Sequence, residues 1–403
     1  MSKQGRVTVL YVDEAIAFGG SLMVMGNLIG ALDKAVFRPV FVGEMEVAAL
    51  KDYLRCDSGV YSIRRLYNYA QWSRTLKFID KLPGRFIRKI TNYTLSAIRS
   101  LLNSVYLFRL IGVILKENVD IIHVSNGMNN FAPVFAAVLL RRHFVVHFHG
   151  IESPGVVHKA FLDRVPVFIA PSSYMKACLV DNGIPEERLQ VISNPVRLET
   201  VSPGDVEVLR QRYGINESDL IMGIVGRIVS WKGHLEFLQA AAPAMKLFPE
   251  LKLLIVGDYS DGNKAYQDEI TRVVETGRFS NRVIFTGYVK DVGNHYCLMD
   301  VCVHASIQPE PFGLVITEAM SHGIPVIASN RGAPGEIISE GETGYLVDPE
   351  AEDEFADRMI SLLSDRAVRE RIGEAARQYA LETYPLDAYA RKMEGVYREV
   401  LGY

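Results

Sequence analysis

Between Val301 and Ala328 the chain passes from one short apolar run to another through a loop and a single helix pattern, and few folds accept that order. Val301 to Val303 reads as a buried strand that ends at the loop holding Pro309 and Pro311. The prolines stiffen the loop, and Gly313 lets a backbone approach a ligand with no Cβ in the way. A helix pattern runs from Leu314 to about His322 and stops at Gly323-Ile324-Pro325, before a second strand, Val326 to Ala328. Strand, loop, helix and strand in this order aim backbone N–H groups and the positive helix end at an anion.

The alternation recurs along the chain. Apolar strand runs are expected at Val7–Val12, Val40–Val42, Ile121–Val124, from Phe144 to His149, at Val167–Ala170 and from Val191. After a linker expected at Arg197–Asp205 a second series follows, at Ile221–Val225, Leu253–Val256, Val283–Val289, Val301–Val303, Val326–Ala328 and Gly344–Val347. Helix patterns separate many of them, among them Leu22–Leu32, Glu352–Leu363, Arg366–Glu382 and Leu386–Leu401. Strands that alternate with helices at this spacing predict α/β, doubly wound domains. The 403 residues suffice for two of them, expected at 1–199 and 200–385.

Composition removes several classes. Hydrophobic residues make up 49% and charged residues 23%, the balance of a globular protein with an ample core. A net charge of −3 argues against nucleic acid as a partner of the whole molecule. The four cysteines form no C-x-x-C pair, so reduced, buried thiols in a cytoplasm are expected. Val7–Val12 is too short for a signal peptide, and no apolar run reaches the roughly 18 residues of a membrane span. Cytoplasmic localisation is the expectation.

The chemistry concentrates in loops at strand ends. Glu310 lies in the proline loop and Glu318 one turn into the following helix, so both can face one crevice. Carboxylates accept hydrogen bonds from hydroxyls while helix-terminal amides donate to phosphate oxygens, which together describe a polyol-phosphate site. Phe312, Gly313 and Leu314 supply that loop-to-helix junction. Arg227 and Lys232 stand five residues apart in a glycine-flanked loop, Gly226 to Gly233, and can converge on a diphosphate. Gly19 and Gly20 sit at the first strand-to-helix turn, where backbone can approach phosphate, although the spacing is not G-x-G-x-x-G. Asn126, Asn129 and Asn130 form a polar loop at a strand's carboxyl end, a candidate acceptor site. His147 and His149 fall on one strand face, with no third metal ligand evident nearby, and His147 reads as packing.

The run E-P-F-G-L-V-I-T-E-A-M from Glu310 to Met320 resembles the E-x7-E signature of the family-4 retaining glycosyltransferases with the GT-B fold. That resemblance implies two Rossmann-like domains facing an interdomain cleft, with the final stretch 386–403 packing back on the first. It implies transfer of a sugar from a nucleotide sugar, UDP- or GDP-linked, to a glycan or lipid-linked acceptor, in cell-surface polysaccharide or glycolipid synthesis. By residue, it gives Arg227 and Lys232 the leaving diphosphate, Glu310 the transferred sugar, Glu318 the ribose, and His149 a place beside the donor sugar. Gly19 and Gly20 would meet the donor diphosphate or the acceptor, and the segment containing Tyr288 would hold the base through its backbone. No cofactor and no metal are expected: no D-x-D motif is present, and the two basic residues can take a cation's place. No carboxylate pair presents itself as nucleophile and acid, so front-face attack is expected. A GT-B epimerase or phosphorylase, or a non-catalytic nucleotide-sugar-binding subunit, are the alternatives.

The segment 61–115 carries ten basic residues (Arg64, Arg65, Arg74, Lys77, Lys81, Arg85, Arg88, Lys89, Arg99 and Arg109) against one acid, Asp80. Trp72, Phe78, Phe86, Tyr93, Tyr106 and Phe108 are interleaved with them. Such a composition suits a surface resting on anionic lipid, and a peripheral place on the inner leaflet is expected. The alternative is a solvated helix face with core aromatics. The sequence leaves oligomeric state open.

Overall fold

The computed structural model describes residues 5–15, 19–54, 59–66, 75, 78–79, 82–128, 131–152, 159–198, 201–259, 263–277, 279, 281–290 and 292–403. The expected site residues Asn129 and Asn130 lie outside them, as do Trp72, Arg74, Lys77 and Lys81. The chain divides into two units: the first comprises 1–170, 176–192 and 389–403, the second 171–175 and 193–388. The stretch 197–205, expected as a linker, therefore belongs to the second unit, where the Val196 amide bonds to the Tyr384 carbonyl at 2.8 Å.

The first unit holds a sheet of strands β1 (Val7–Val12), β2 (Phe37–Gly43), β3 (Val60–Ser62), β4 (Ile121–Val124), β5 (His143–His147), β6 (Val167–Ala170) and β7 (Leu189–Val191). Their spatial order is β3-β2-β1-β4-β5-β6-β7, with every neighbouring pair parallel. The second unit repeats the plan with β8 (Leu220–Val225), β9 (Leu251–Val256), β10 (Val283–Phe285), β11 (Val301–His304), β12 (Val326–Ser329) and β13 (Gly344–Val347). Its order is β10-β9-β8-β11-β12-β13, again parallel throughout. Both sheets reverse direction beside their first strand, which is the doubly wound topology expected from the alternation.

Continuous apolar strands follow from that topology, because helices cover both faces of a parallel sheet. Val9, Leu10, Tyr11 and Val12 of β1 are all 0% exposed. In the second unit two apolar clusters lie against the sheet, one around Phe237, Leu253 and Phe355, the other around Leu254, Ile316 and Tyr296. Each such side chain contributes roughly 1.5–3 kcal/mol by leaving water. The helix Leu386–Leu401 serves the first unit: Tyr389, Met393, Val396 and Tyr397 are buried, and Glu394 accepts the Asp33 amide at 2.8 Å.

One long helix, Arg85–Lys116, carries much of the basic segment. Tyr106, Leu110, Val113 and Ile114 point into the core, while Ile87, Ile90, Ile98, Val105, Phe108 and Leu115 are exposed. The lipid-facing expectation is corrected at two residues. Arg65 is buried between Glu14 and Glu44 with its guanidinium 4.7 Å from the Tyr106 ring centroid, so neither Arg65 nor Tyr106 belongs to a surface.

Candidate functional site

In the second unit the site is assembled at the carboxyl ends of β8, β9 and β11. The chain leaves β8 at Gly226, with φ +148, and β9 at Gly257, with φ +150. A Cβ on Gly257 would lie 1.9 Å from the Gly226 carbonyl oxygen, so these two loops press together with no room for a side chain. After a tight turn over Ser230–Lys232, Gly233 (φ +73) opens the helix His234–Leu247. A Cβ on Gly233 would lie 1.8 Å from the Ala305 carbonyl oxygen. The Ile307 amide bonds to the Trp231 carbonyl at 2.9 Å. The 226–233 loop is thereby pinned to the loop that follows β11.

This contact brings Lys232 and Glu310 together across 78 residues of sequence, Nζ to Oε2 at 2.7 Å. His304, the last residue of β11, lies with Nε2 at 3.2 Å from the same oxygen, and the Ser306 hydroxyl donates to it at 3.1 Å. Burial alone would raise the Glu310 carboxyl, but Lys232 and the bond from His304 outweigh it and hold Glu310 well below the usual carboxylate range. Its backbone is fixed as well: the amide bonds to the Arg331 carbonyl at 3.0 Å, and the carbonyl accepts from Ala333 at 2.9 Å. Gly332 (φ +91) permits this, since a Cβ there would meet the Glu310 carbonyl oxygen at 2.5 Å. Lys232 also lies 4.4 Å from the Trp231 ring centroid. Arg227 stands exposed on the same loop.

The helix Leu314–Ser321 starts at Gly313, with φ +113. Its first internal bonds run from the Ile316 and Thr317 amides to the Gly313 carbonyl, which leaves the opening turn facing the loop. Glu318 is held by Tyr296, whose phenol donates to Oε2 at 2.9 Å. Tyr296 is 0% exposed and lies against the His322 ring at 5.3 Å between centroids. Phe312 is 4% exposed and packs edge-on against Tyr384, so its ring serves the core and only its backbone borders the loop. Leu314 is partly buried against the same cluster. Tyr288, just past Gly287, is 54% exposed.

In the first unit the carboxyl ends of β1, β4 and β5 carry a second group, organised by Asp13. This carboxylate is 1% exposed and accepts from the Ser125 hydroxyl at 2.7 Å, the Asn126 side-chain amide at 3.0 Å and the Ala15 amide at 2.7 Å. Ser21, one residue past Gly20, also bonds to it. Burial raises its carboxyl pKa despite those donors. Asp13 thus ties the Gly19–Gly20 turn to the loop after β4. Gly19 caps the helix Gly20–Ala31 in extended backbone, with nothing within 4 Å of where a Cβ would stand. His149 follows β5, and its Nε2 is buried without a hydrogen-bond partner among the described residues. The expected Asn126 therefore takes part in holding a loop.

Sequence reading missed Asp13, His304, Ser306 and Tyr296. Asp13, His304 and Ser306 sit at or just past the carboxyl end of β1 or β11, which was the available signal, whereas Tyr296 ends the short helix Gly293–Tyr296 before β11 and carries no such signal. Among the described residues no cluster of three or more His, Cys, Asp or Glu could hold a metal ion.

Two parallel doubly wound sheets, with cations and carboxylates on the second sheet's carboxyl loops, have the GT-B fold, and over most of its length the chain resembles the glycosyltransferases built on it. The family model of the glycosyl transferases group 1 matches residues 205–379, and that of glycosyltransferase family 4 matches residues 69–200. Among similar proteins, the N-acetyl-alpha-D-glucosaminyl L-malate synthase of Bacillus anthracis is 27% identical over 299 residues, 71% of this chain and 76% of that one. The lipopolysaccharide 1,2-N-acetylglucosaminetransferase of Salmonella typhimurium is 30% identical over 249 residues, 59% of this chain and 64% of that enzyme. The crystal structure of Anabaena HepE in complex with UDP and glucose superposes with a TM-score of 0.79 at 21% identity, covering 98% of this chain and 100% of HepE, which shows the shared fold.

Proposed function

We propose that the chain is a retaining glycosyltransferase that moves a sugar from a UDP- or GDP-linked donor to a glycan or lipid-linked acceptor in building cell-surface polysaccharide or glycolipid. The observation that carries this reading is the convergence of Lys232, His304 and Ser306 on Glu310 beside the exposed Arg227. A lysine ammonium has three donors, so Lys232 can keep Glu310 while it bonds a phosphate oxygen. Arg227 and Lys232 then stabilise the charge that develops on the leaving diphosphate, an electrostatic role that needs no metal. Glu310, held anionic, accepts from hydroxyls of the transferred sugar, and Glu318, fixed by Tyr296, accepts from the ribose. In front-face attack the leaving phosphate takes the acceptor's proton. His149 supplies a neutral imidazole near the sugar, its pKa pushed down to about 4 by burial. UDP and glucose bound to HepE, and the N-acetylglucosaminyl group in the names of two relatives, support a nucleotide-sugar donor.

The test is a thermal-shift panel of UDP, GDP, ADP and CMP with their sugars. A ligand at 100 times its dissociation constant adds about 2.7 kcal/mol, and one nucleotide series should stand out. No shift from any nucleotide would remove the donor site.

We further propose that the outer face of Arg85–Lys116 rests on anionic lipid. Ile87, Ile90, Ile98, Val105 and Phe108 are exposed there, Phe108 at 70%, and Arg88 and Arg109 are exposed beside them. No helix among the described residues is long and apolar enough to cross a membrane. Co-sedimentation with anionic liposomes should fall with salt and with Phe108→Ser. Binding that ignores lipid charge would point to another partner for this face.

A further inference from the structure

The first sheet carries a polar line that its apolar setting does not require. Tyr11 and His123 are register partners on β1 and β4, and His123 is the register partner of Val145 on β5. Side chains alternate along a strand, so His147, two residues beyond Val145, faces the same side, and so does the run toward His149. From the helix above, Tyr397 reaches down to this row. Its hydroxyl bonds to that of Tyr11 at 3.1 Å and lies 2.7 Å from His123 Nδ1. His123 Nε2 lies 3.2 Å from His147 Nδ1, and the His147 and His149 rings are 4.3 Å apart between centroids. Tyr11, Tyr397, His123 and His147 are all 0% exposed. The line climbs from the sheet's interior to its carboxyl edge and stops at two imidazole nitrogens, His147 Nε2 and His149 Nε2. Both are buried and have no hydrogen-bond partner among the described residues.

Every member is neutral. Burial pushes His123 down to about 3 and His147 well below its ordinary value, and it raises both phenols. A neutral imidazole donates from one nitrogen and accepts at the other. The chain therefore has two proton orders. If Tyr397 donates to Tyr11, His123 donates from Nδ1 and accepts at Nε2, His147 donates from Nδ1, and its Nε2 presents a lone pair. If Tyr11 donates to Tyr397, each bond reverses and His147 Nε2 presents an N–H. In either order the atom at the sheet edge lacks a partner, and an orphaned buried polar atom is costly.

We infer that His147 is a sugar-hydroxyl-binding residue of the first unit, placed and set in tautomer by His123, Tyr397 and Tyr11, with His149 Nε2 as its neighbour. A hydroxyl both donates and accepts, so it satisfies His147 in either order without charging it. His123 and Tyr397 are positioning residues: they act through His147. The inference rests on the glycosyltransferase reading for its ligand class and goes beyond it in assigning a residue that pattern alone gives to packing.

The test uses the full chain labelled with 15N-histidine, titrated with D-glucose, UDP-glucose and UDP. The His147 Nε2 resonance should move with D-glucose or UDP-glucose and stay in place with UDP. His147→Asn keeps a nitrogen near Nδ1 and removes Nε2, and should weaken the sugar response about tenfold. His147→Gln keeps a polar atom near Nε2 and should stay within about threefold of the parent. Tyr397→Phe should change the His147 tautomer ratio, which a purely structural role would not. An Nε2 resonance unmoved by both sugar-bearing probes, or equal behaviour of the Asn and Gln variants, overturns the assignment and returns His147 to packing. If UDP and UDP-glucose leave every resonance unchanged, the donor reading fails instead, and the D-glucose titration still decides for or against His147.

Discussion

The two sheets share a topology and use their carboxyl edges differently. The second gathers ions: Arg227, Lys232, Glu310 and Glu318, with Lys232 and Glu310 paired at 2.7 Å. The first gathers uncharged groups: Ser125 and Asn126 on the buried Asp13 carboxyl, and His147 and His149 at the end of β5. The two carboxyls respond oppositely, since Glu310 is held down by Lys232 while burial raises Asp13. One fold thus offers one edge suited to charge that develops in a reaction and one suited to hydroxyls.

The largest effect should come from the ionic edge. Arg227→Ala or Lys232→Ala should slow turnover by roughly 10²–10³, as loss of a preorganised charge contact does. The two should differ in stability: Arg227 is exposed, whereas losing Lys232 leaves Glu310 buried without its cation, at about 1–3 kcal/mol. Steady-state kinetics and urea unfolding measure both, and near-normal turnover in either variant would break the contrast at its centre. Next, Gly233→Ala should destabilise by at least about 2 kcal/mol, since the residue would hold φ +73 with its Cβ against the Ala305 carbonyl. Gly19→Ala, in open space with extended backbone, should cost little.

The carboxylates sharpen the comparison further. Glu318→Gln should weaken binding of bare UDP or GDP by about three- to tenfold, while Glu310→Gln should spare that binding and cut transfer. Calorimetry with the nucleotide alone separates them, and equal nucleotide affinity in both would undo the ribose assignment. Stability against pH should then diverge. Glu310 has a depressed folded pKa, so its stabilisation is present above its ordinary 4.5 and fades as pH falls below that value. Asp13 has a raised one, so its contribution is lost as pH climbs from 3.8 through the raised value. Glu310→Gln should remove part of the acid-side loss and Asp13→Asn part of the loss at higher pH; matching profiles would mean the two environments are alike. The smallest effect belongs to Tyr296→Phe, which should weaken nucleotide binding a few-fold and add little in combination with Glu318→Gln.

Strand positions were legible where runs were continuous and apolar. β1, β4, β6 and β13 fall at the residues expected from the sequence. β3 escaped because three residues, Val60–Ser62, carry no periodicity of their own. The helix Arg85–Lys116 escaped because apolar side chains lie on its inner and outer faces alike, which blurs a single stripe. Glu310, Glu318, Arg227 and Lys232 could be named from local spacing, since each lies within a few residues of a glycine or proline punctuating a strand end. Their partners could not. Lys232 and Glu310 meet across 78 residues, and Tyr397 and Tyr11 across 386, separations that no local pattern encodes. The same limit hid Phe312's place in the core, which Tyr384 supplies from the far end of the second unit.

The reach of Tyr397 back to β1 also orders events during synthesis. Residues 1–192 leave the ribosome first, yet the His123 ring keeps an unmet nitrogen until residues 389–403 arrive, after the whole second unit has been made. The first unit is therefore completed only when a helix encoded downstream of its neighbour has been made. A nascent chain cut short anywhere before Tyr397 would carry that unmet nitrogen into its core, and proteolysis of such fragments would report that incompleteness.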